Sequence, residues 1–391
     1  MRLAQRMSNL GTETAFEVLA RAKGLEAQGR DIVHLEIGEP DFNTHEDIVE
    51  AAVGALRDGH HHYTPSAGIL PLRQAIAREI SETRQIAVDP DEVVVTPGAK
   101  PIIFFSILAL AQKGDEVIYP DPGFPIYESM IRYVGARPVP VPLREELDFR
   151  MDIQELVDLS SPRTRLIILN SPNNPTGSVL NRGDIAAIVD AFADSDVCFL
   201  SDEVYNRIIY DEPHVSIASF PGMKERTILL DGFSKTYAMT GWRMGYGVMP
   251  KELAGHVTKL MVNSNSCTAA FTQMAGIQAL QQDPKPVHEM VKIFQTRRDR
   301  IVDLLNSVEG VSCRQPKGAF YVFPNTRALS EDSPKLADFL LQEGGIALLS
   351  GTSFGTMGQG YLRLSYATSL EMLEKGVRRM KAALAKWPAV V

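Results

Sequence analysis

Arg226-Thr-Ile-Leu-Leu-Asp-Gly-Phe-Ser-Lys235 is the stretch whose reading decides the fold. A short apolar run stops at Asp231-Gly232, and a lysine follows almost at once. The same design recurs upstream. Val197-Cys-Phe-Leu200 stops at Ser201-Asp202, and Arg165-Leu-Ile-Ile-Leu169 stops at Asn170-Ser-Pro-Asn-Asn-Pro-Thr-Gly177. Glu116-Val-Ile-Tyr119 stops at Pro120-Asp-Pro-Gly123, and Glu92-Val-Val-Val-Thr96 stops at Pro97-Gly98. Helical patterns lie between these runs, over Ile102 to Ala111 and Asp184 to Ala193. Continuous apolar strands separated by helices signal a parallel sheet covered on both faces. In such sheets ligands sit beyond the carboxyl ends of the strands. Asn174, Asp202 and Lys235 are therefore expected to converge on one crevice.

The C-terminal third reads differently. Pro284 to Val308 is a long charged helix pattern, and Ala319-Phe-Tyr-Val-Phe323 and Gly360-Tyr-Leu-Arg-Leu-Ser365 read as strands. A final amphipathic helix runs from Ser369 to Lys386, and an N-terminal helix, Thr12 to Gln28, is expected to pack with this part. The fold class is α/β: a large domain with a mostly parallel sheet covered by helices, plus a smaller α+β domain built from the two chain ends. The expected division is 46–283 for the large domain, with 1–45 and 284–391 in the small one.

Composition excludes several classes. With 391 residues, 45% of them hydrophobic and 23% charged, the chain can bury a large core and is not disordered. A net charge of −8 argues against a general nucleic-acid binder. The pattern begins by about Leu35, which leaves no room for an upstream DNA-binding domain. Cys198, Cys267 and Cys313 form no CxxC pair, so a zinc ribbon is excluded and a reducing cytosol is expected. Ile102 to Ala111 is far short of the ~20 residues a membrane span needs. Met1 to Ala20 lacks the continuous apolar stretch of a secretory signal. Gly351-Thr-Ser-Phe-Gly355 matches GxSxG, but no histidine lies beyond His288, so it reads as a glycine-rich loop. His60-His61-His62 reads as a solvated or interface loop, and no metal site is expected. Nicotinamide and P-loop fingerprints are missing.

Lys235 carries the most information. Small and apolar neighbours in Ser234-Lys-Thr-Tyr-Ala-Met-Thr-Gly-Trp-Arg243 would desolvate its ammonium, which makes a usable amine nucleophile. Arg243 lies in a glycine-rich stretch and suits bidentate phosphate contact. Asp202 reads either as a helix N-cap or as an acid that pairs with a cationic ring nitrogen. Tyr205 falls on the same side if a helical turn follows. A lysine, an acid, ring-oxygen donors, a flat apolar partner and a phosphate cup together suit pyridoxal phosphate.

Asn174-Pro-Thr-Gly177, Asp202-Glu-Val-Tyr205 and Ser234 to Gly245 resemble the signatures of class I/II aminotransferases, the fold-type I pyridoxal-phosphate enzymes. So do Tyr63-Thr-Pro-Ser-Ala-Gly68 and Arg363-Leu-Ser-Tyr-Ala-Thr368. The match runs from about Gly38 to the end in motif order, and is closest to the bacterial aspartate and broad-specificity branch. The resemblance implies pyridoxal 5'-phosphate as cofactor. It implies that Lys235 carries it covalently and shuttles the proton, that Asp202 pairs with its ring nitrogen, and that Tyr205 and Asn174 meet its ring oxygen. Phe124 would stack on the ring. Gly98, Ala99 and Lys100 would form the phosphate cup with Ser234 and Arg243. Many members have serine at the position of Gly232, so that contact is either absent here or replaced by Ser234. Tyr63 would reach the site of a neighbouring subunit, which implies a homodimer. Arg363 would grip the substrate α-carboxylate, with Gly38 and Asn174 beside it.

The implied reaction is transfer of an amino group from an L-amino acid to a 2-oxo acid, in the cytoplasm. Lys100 resembles a lysine that meets a distal carboxylate, which favours aspartate and glutamate with 2-oxoglutarate. Apolar neighbours, Phe16, Ile37 and Tyr127, suit an aromatic or aliphatic side chain equally well. A carbon–sulfur lyase on the same scaffold is the remaining alternative, because fold does not fix the reaction.

Overall fold

The computed structural model describes residues 2–387. Met1 and the last four residues, the outer ends of the expected small domain, lie outside it. In chain order the strands are β1 (Val33–His34), β2 (Val93–Thr96), β3 (Glu116–Asp121), β4 (Arg137–Pro142), β5 (Thr164–Asn170) and β6 (Cys198–Asp202). They continue with β7 (Thr227–Gly232), β8 (Gly245–Val248), β9 (Tyr321–Val322), β10 (Ile346–Ala347), β11 (Leu349–Ser350) and β12 (Leu362–Ser365). Seven of them form one sheet in the order β2-β8-β7-β6-β5-β3-β4. Every pairing from β7 to β4 is parallel, and β8 alone runs against its two neighbours. The expected mostly parallel α/β sheet is therefore present.

Two strands of this sheet escaped the sequence reading. Arg137–Pro142 has proline at every second position, which argues against a central strand. It is in fact the sheet edge, where half of the backbone N–H groups need no partner. Gly245–Val248 lies in the glycine-rich stretch around Arg243, where the sequence signals close backbone approach and no strand. It is a buried strand, and its glycines answer to a close approach: a Cβ on Gly245 would lie 2.4 Å from the amide nitrogen of Ala99.

Helices cover both faces. On one side Lys100–Leu110, Ile126–Val134 and Lys251–Ser264 bury Ile102, Phe105, Met130 and Val257 against Val94, Val117 and Leu230 of the sheet. On the other, Arg182–Ala191 contributes Ile185 and Ile188 over Ile118 and Ile167. A third cluster joins Leu72 and Ile76 to Val95 and Tyr246.

The chain ends meet. β1 pairs in parallel with β10, Val33 opposite Ile346, and Ala22 of the helix Thr14–Glu26 packs on Leu341 and Ala347. The N-terminal helix thus packs with the C-terminal elements, as expected. The long helix Lys285–Asn306 brings Phe294 and Ile301 onto Phe320 and Tyr366 beside the antiparallel set β11-β12-β9. Arg297 on this helix makes two hydrogen bonds to Asp41, of 2.6 and 2.9 Å, which anchors the segment after Gly38. Among the described residues no helix is long and apolar enough to cross a membrane.

Candidate active site

Strand register explains why residues spread over the sequence meet. Asn170 is the register partner of Asp202, and Gly232 that of Gly245, which also faces Thr96. Asn174, Lys235, Gly98 and Arg243 each lie within four residues of one of these strand ends. Asn174, Lys235 and Arg243 open onto one cavity of about 510 Å³, lined also by Gly38, Ala99, Lys100, Phe124, Asp202, Tyr205, Ser234 and Arg363. Every expected site residue except Gly98 and Tyr63 lines it. Gly98 stands behind Arg243: its φ is +83°, and a Cβ there would lie 2.3 Å from Nη2 of that arginine. Tyr63 is 90% exposed and reaches nothing in its own cavity.

At the floor, Lys235 Nζ donates to the carbonyl of Gly38 at 2.5 Å. Burial works against its charge and lowers its pKa to about 8; Glu39 opposes the shift, while Arg363 and Arg243 add to it. The amine is therefore partly neutral at physiological pH. A Cβ on Gly38 would lie 2.0 Å from the Tyr321 hydroxyl, so only glycine fits between that ring and the lysine.

Asp202 is buried, and desolvation raises its pKa to about 6. The Tyr127 hydroxyl donates to its Oδ2 at 2.5 Å and opposes that rise. The adjacent Glu203 has the opposite fate. It turns to the other face of the sheet, where Arg84 pairs with it at 2.9 Å and His214 Nε2 lies at 2.9 Å. Burial works against its charge, but those partners outweigh burial and hold its carboxyl far below the usual range.

The Tyr205 hydroxyl lies 2.6 Å from that of Tyr321, and the turn after Asp202 directs it there, with Ile208 N bonded to the Tyr205 carbonyl. Burial raises the Tyr205 pKa well above its ordinary value, so it remains a donor. The helix Lys100–Leu110 starts at Ala99 with no side-chain cap. Its first amides and the dipole end face the cavity beside Arg243, a setting suited to phosphate.

Arg363 is buried; it donates from Nη2 to the Glu36 carbonyl and lies 4.6 Å from the Tyr321 ring centre and 5.2 Å from that of Phe354. Its Nε is buried without a partner, and so is Oδ1 of Asn174. Amide ends exchange readily in assignment, so Asn174 can present either pole there. The Gly351–Phe354 turn brings Ser353 and Phe354 to the cavity wall. Asp121 accepts from the Thr356 hydroxyl at 2.8 Å, and a Cβ on Gly355 would lie 2.0 Å from its Oδ1. The turn serves to seat Phe354 beside Arg363. His60, His61 and His62 lie exposed after the helix Glu46–Arg57.

Sequence reasoning missed Tyr127 as a partner of Asp202, Tyr321, Phe354 and Glu13. Tyr127, Tyr321 and Phe354 reach the cavity from segments whose local pattern signals only packing. Glu13 pairs with Lys100 across the cavity mouth.

The profile of "Aminotransferase class I and II" matches residues 30–380. An "Aspartate aminotransferase" of Pyrococcus horikoshii is 40% identical over 98% of this chain and 97% of its own length. An "Aromatic-amino-acid aminotransferase 2" of Thermococcus litoralis is 37% identical over 98% of each chain. Among solved structures, the aspartate aminotransferase of Thermus thermophilus with maleate superposes with a TM-score of 0.94, at 35% identity, over 98% of this chain and all of that one. Fold and comparisons define an α/β enzyme that transfers amino groups. The chain belongs to the class I and II aminotransferases, a family that works with pyridoxal phosphate.

Proposed function

We propose that this chain is a pyridoxal-5'-phosphate-dependent aminotransferase whose preferred amino donors are aspartate and glutamate, with 2-oxoglutarate as acceptor. The observation that carries the reading is the pair of buried, unpartnered atoms in the cavity that Lys235 also lines, Arg363 Nε and Asn174 Oδ1. Orphaned buried polar atoms are rare: the Arg363 Nε–H needs an acceptor such as a carboxylate, and the Asn174 amide oxygen needs a donor. The relatives named for aspartate and the position of Lys100 support the dicarboxylic side chain.

The residues fit the cofactor. Lys235 would hold it, Asp202 its ring nitrogen, Tyr205 and Asn174 its ring oxygen, Phe124 a ring face. Arg243, Ser234 and the amides at Gly98, Ala99 and Lys100 would take the phosphate. The bound cofactor supplies an electron sink for the substrate Cα–H bond. With its amine free of the cofactor, Lys235 would take the proton from substrate Cα onto Nζ, a task matched by its lowered pKa. Asp202, held in place by Tyr127, offers the negative charge that keeps a ring nitrogen protonated. Arg363, with Gly38 and Asn174 alongside, orients the substrate through its α-carboxylate.

The same reading includes a cytoplasmic homodimer in which Tyr63 serves the neighbouring site, and the division at 46–283 into large and small domains. The relative named for aromatic amino acids and the apolar Phe16 and Ile37 at the cavity wall favour aromatic donors as a second reading.

The test is the visible spectrum of the holoprotein with L-aspartate and no oxo acid. Conversion of the cofactor band supports aspartate. An unmoved band rejects aspartate, and no band after cofactor is supplied rejects the role of Lys235.

A further inference from the structure

Glu13 sits at the N-cap of the helix Thr14–Glu26 but caps nothing: its carboxylate makes no hydrogen bond to the first turn. Glutamate is not among the residues favoured there, so the helix does not explain it. Instead it reaches across the cavity mouth to the ammonium of Lys100, the first residue of the helix Lys100–Leu110. Lys100 Nζ also stands 5.3 Å from the centre of the Phe124 ring. Glu13, Lys100 and Phe124 all line the cavity. The cation proposed to receive a substrate's distal carboxylate is thus already paired, with a carboxylate supplied by the chain itself.

We infer that Glu13 sets the substrate range by competing with the distal carboxylate of a dicarboxylic substrate for Lys100. This rests on the reading of Lys100 given above. With the pair intact, Lys100 is neutralised and the wall next to it is apolar, through Phe16 and Ile37. A neutral side chain then enters without meeting an unpaired charge. A dicarboxylate enters by displacing Glu13, and takes its place in the same ion pair. The two carboxylates exchange one partner, so neither substrate class is shut out. The pair is partly solvent-exposed, with side-chain exposures of 41% for Lys100 and 24% for Glu13. Exposed pairs are weak, so the competition amounts to a few-fold effect and tunes preference rather than gating entry.

Calorimetric titration of the holoenzyme reads this without turnover. The probes are maleate, a dicarboxylate, and 3-phenylpropionate, a monocarboxylate with an apolar body. Glu13→Gln should raise the ratio of maleate to 3-phenylpropionate affinity about threefold, and Glu13→Ala should move it the same way. Lys100→Met should lower that ratio. An unmoved or lowered ratio in both Glu13 variants, with a lowered ratio in Lys100→Met, overturns the competition and leaves Lys100 as the carboxylate reader. An unmoved ratio in Lys100→Met overturns the reading of Lys100 and this inference with it.

Discussion

At the floor of the cavity, Asp202 and Lys235 hang from the ends of β6 and β7, and Asn174 follows β5. At the mouth, Glu13 and Phe16 come from the N-terminal segment, which meets Lys100 with no sheet register behind it. The floor groups are desolvated and their ionisation is displaced, Asp202 to about 6 and Lys235 to about 8. The mouth groups stay partly in water; Phe16 is 62% exposed. The roles proposed above predict that a floor substitution costs catalysis and a mouth substitution costs selectivity.

The contrast breaks if a floor variant behaves like a mouth variant. Lys235→Ala should give the largest loss, about 10⁴-fold or more in transamination turnover, measured with the protein saturated with cofactor. Retained turnover would remove the lysine from the mechanism. Asp202→Asn should follow, lowering kcat about 10²–10³-fold. It also has a signature in stability. In the cofactor-free protein burial keeps Asp202 protonated up to about pH 6, whereas its ordinary pKa is 3.8. The folded state then binds the extra proton between those values, so this group makes stability fall as pH rises through that window, with no further change above it. Asp202→Asn lacks this slope. Its stability relative to the parent should grow by up to about 3 kcal/mol between pH 4 and pH 7, read from urea titrations. A constant difference would show that Asp202 ionises normally.

What the sequence made legible follows the same division. The strand-end residues were readable because an apolar run that stops at a polar residue states both the strand and its end. That placed Asn174, Asp202 and Lys235 together before any coordinates. β4 and β8 were not readable: one is written in alternating prolines and the other in glycines, and both signals normally deny a strand. Only the edge position and the approach of Ala99 to Gly245 account for them. Tyr127 and Tyr321 were hidden for another reason. Each lies in an amphipathic or apolar run where an aromatic residue is ordinary core, and only tertiary packing turns its hydroxyl to Asp202 or Tyr205. Glu13 lay furthest from prediction, since its partner is 87 residues away and no local pattern links the two.

Tyr127→Phe sharpens the comparison within the floor. It removes the 2.5 Å hydrogen bond to Asp202 and keeps the ring beneath Phe124, whose centroid is 5.9 Å away. A hydrogen bond to a charged group contributes about 1.5–3 kcal/mol, so kcat should fall about tenfold or more. The Asp202 pKa should rise further, because the bond that opposes desolvation is gone. A loss confined to KM would mean that Tyr127 meets substrate directly instead of acting through the carboxylate.

Phe16→Ala tests the mouth and should have the smallest effect. Phe16 lines the cavity two residues after Thr14, half in water, so it presents a ring face without a packed surround. An aromatic pair is worth about 0.5–1.5 kcal/mol beyond area burial, and solvent exposure puts this one near the lower bound. The kcat/KM for L-phenylalanine should therefore drop about threefold, mainly through KM, while that for L-aspartate should move less, its distal carboxylate being proposed to meet Lys100. An equal drop for both donors would assign Phe16 to the shared geometry of the site. The mouth would then be part of the catalytic scaffold, and selectivity would have to be sought along the inner wall, at Ile37 and Tyr127.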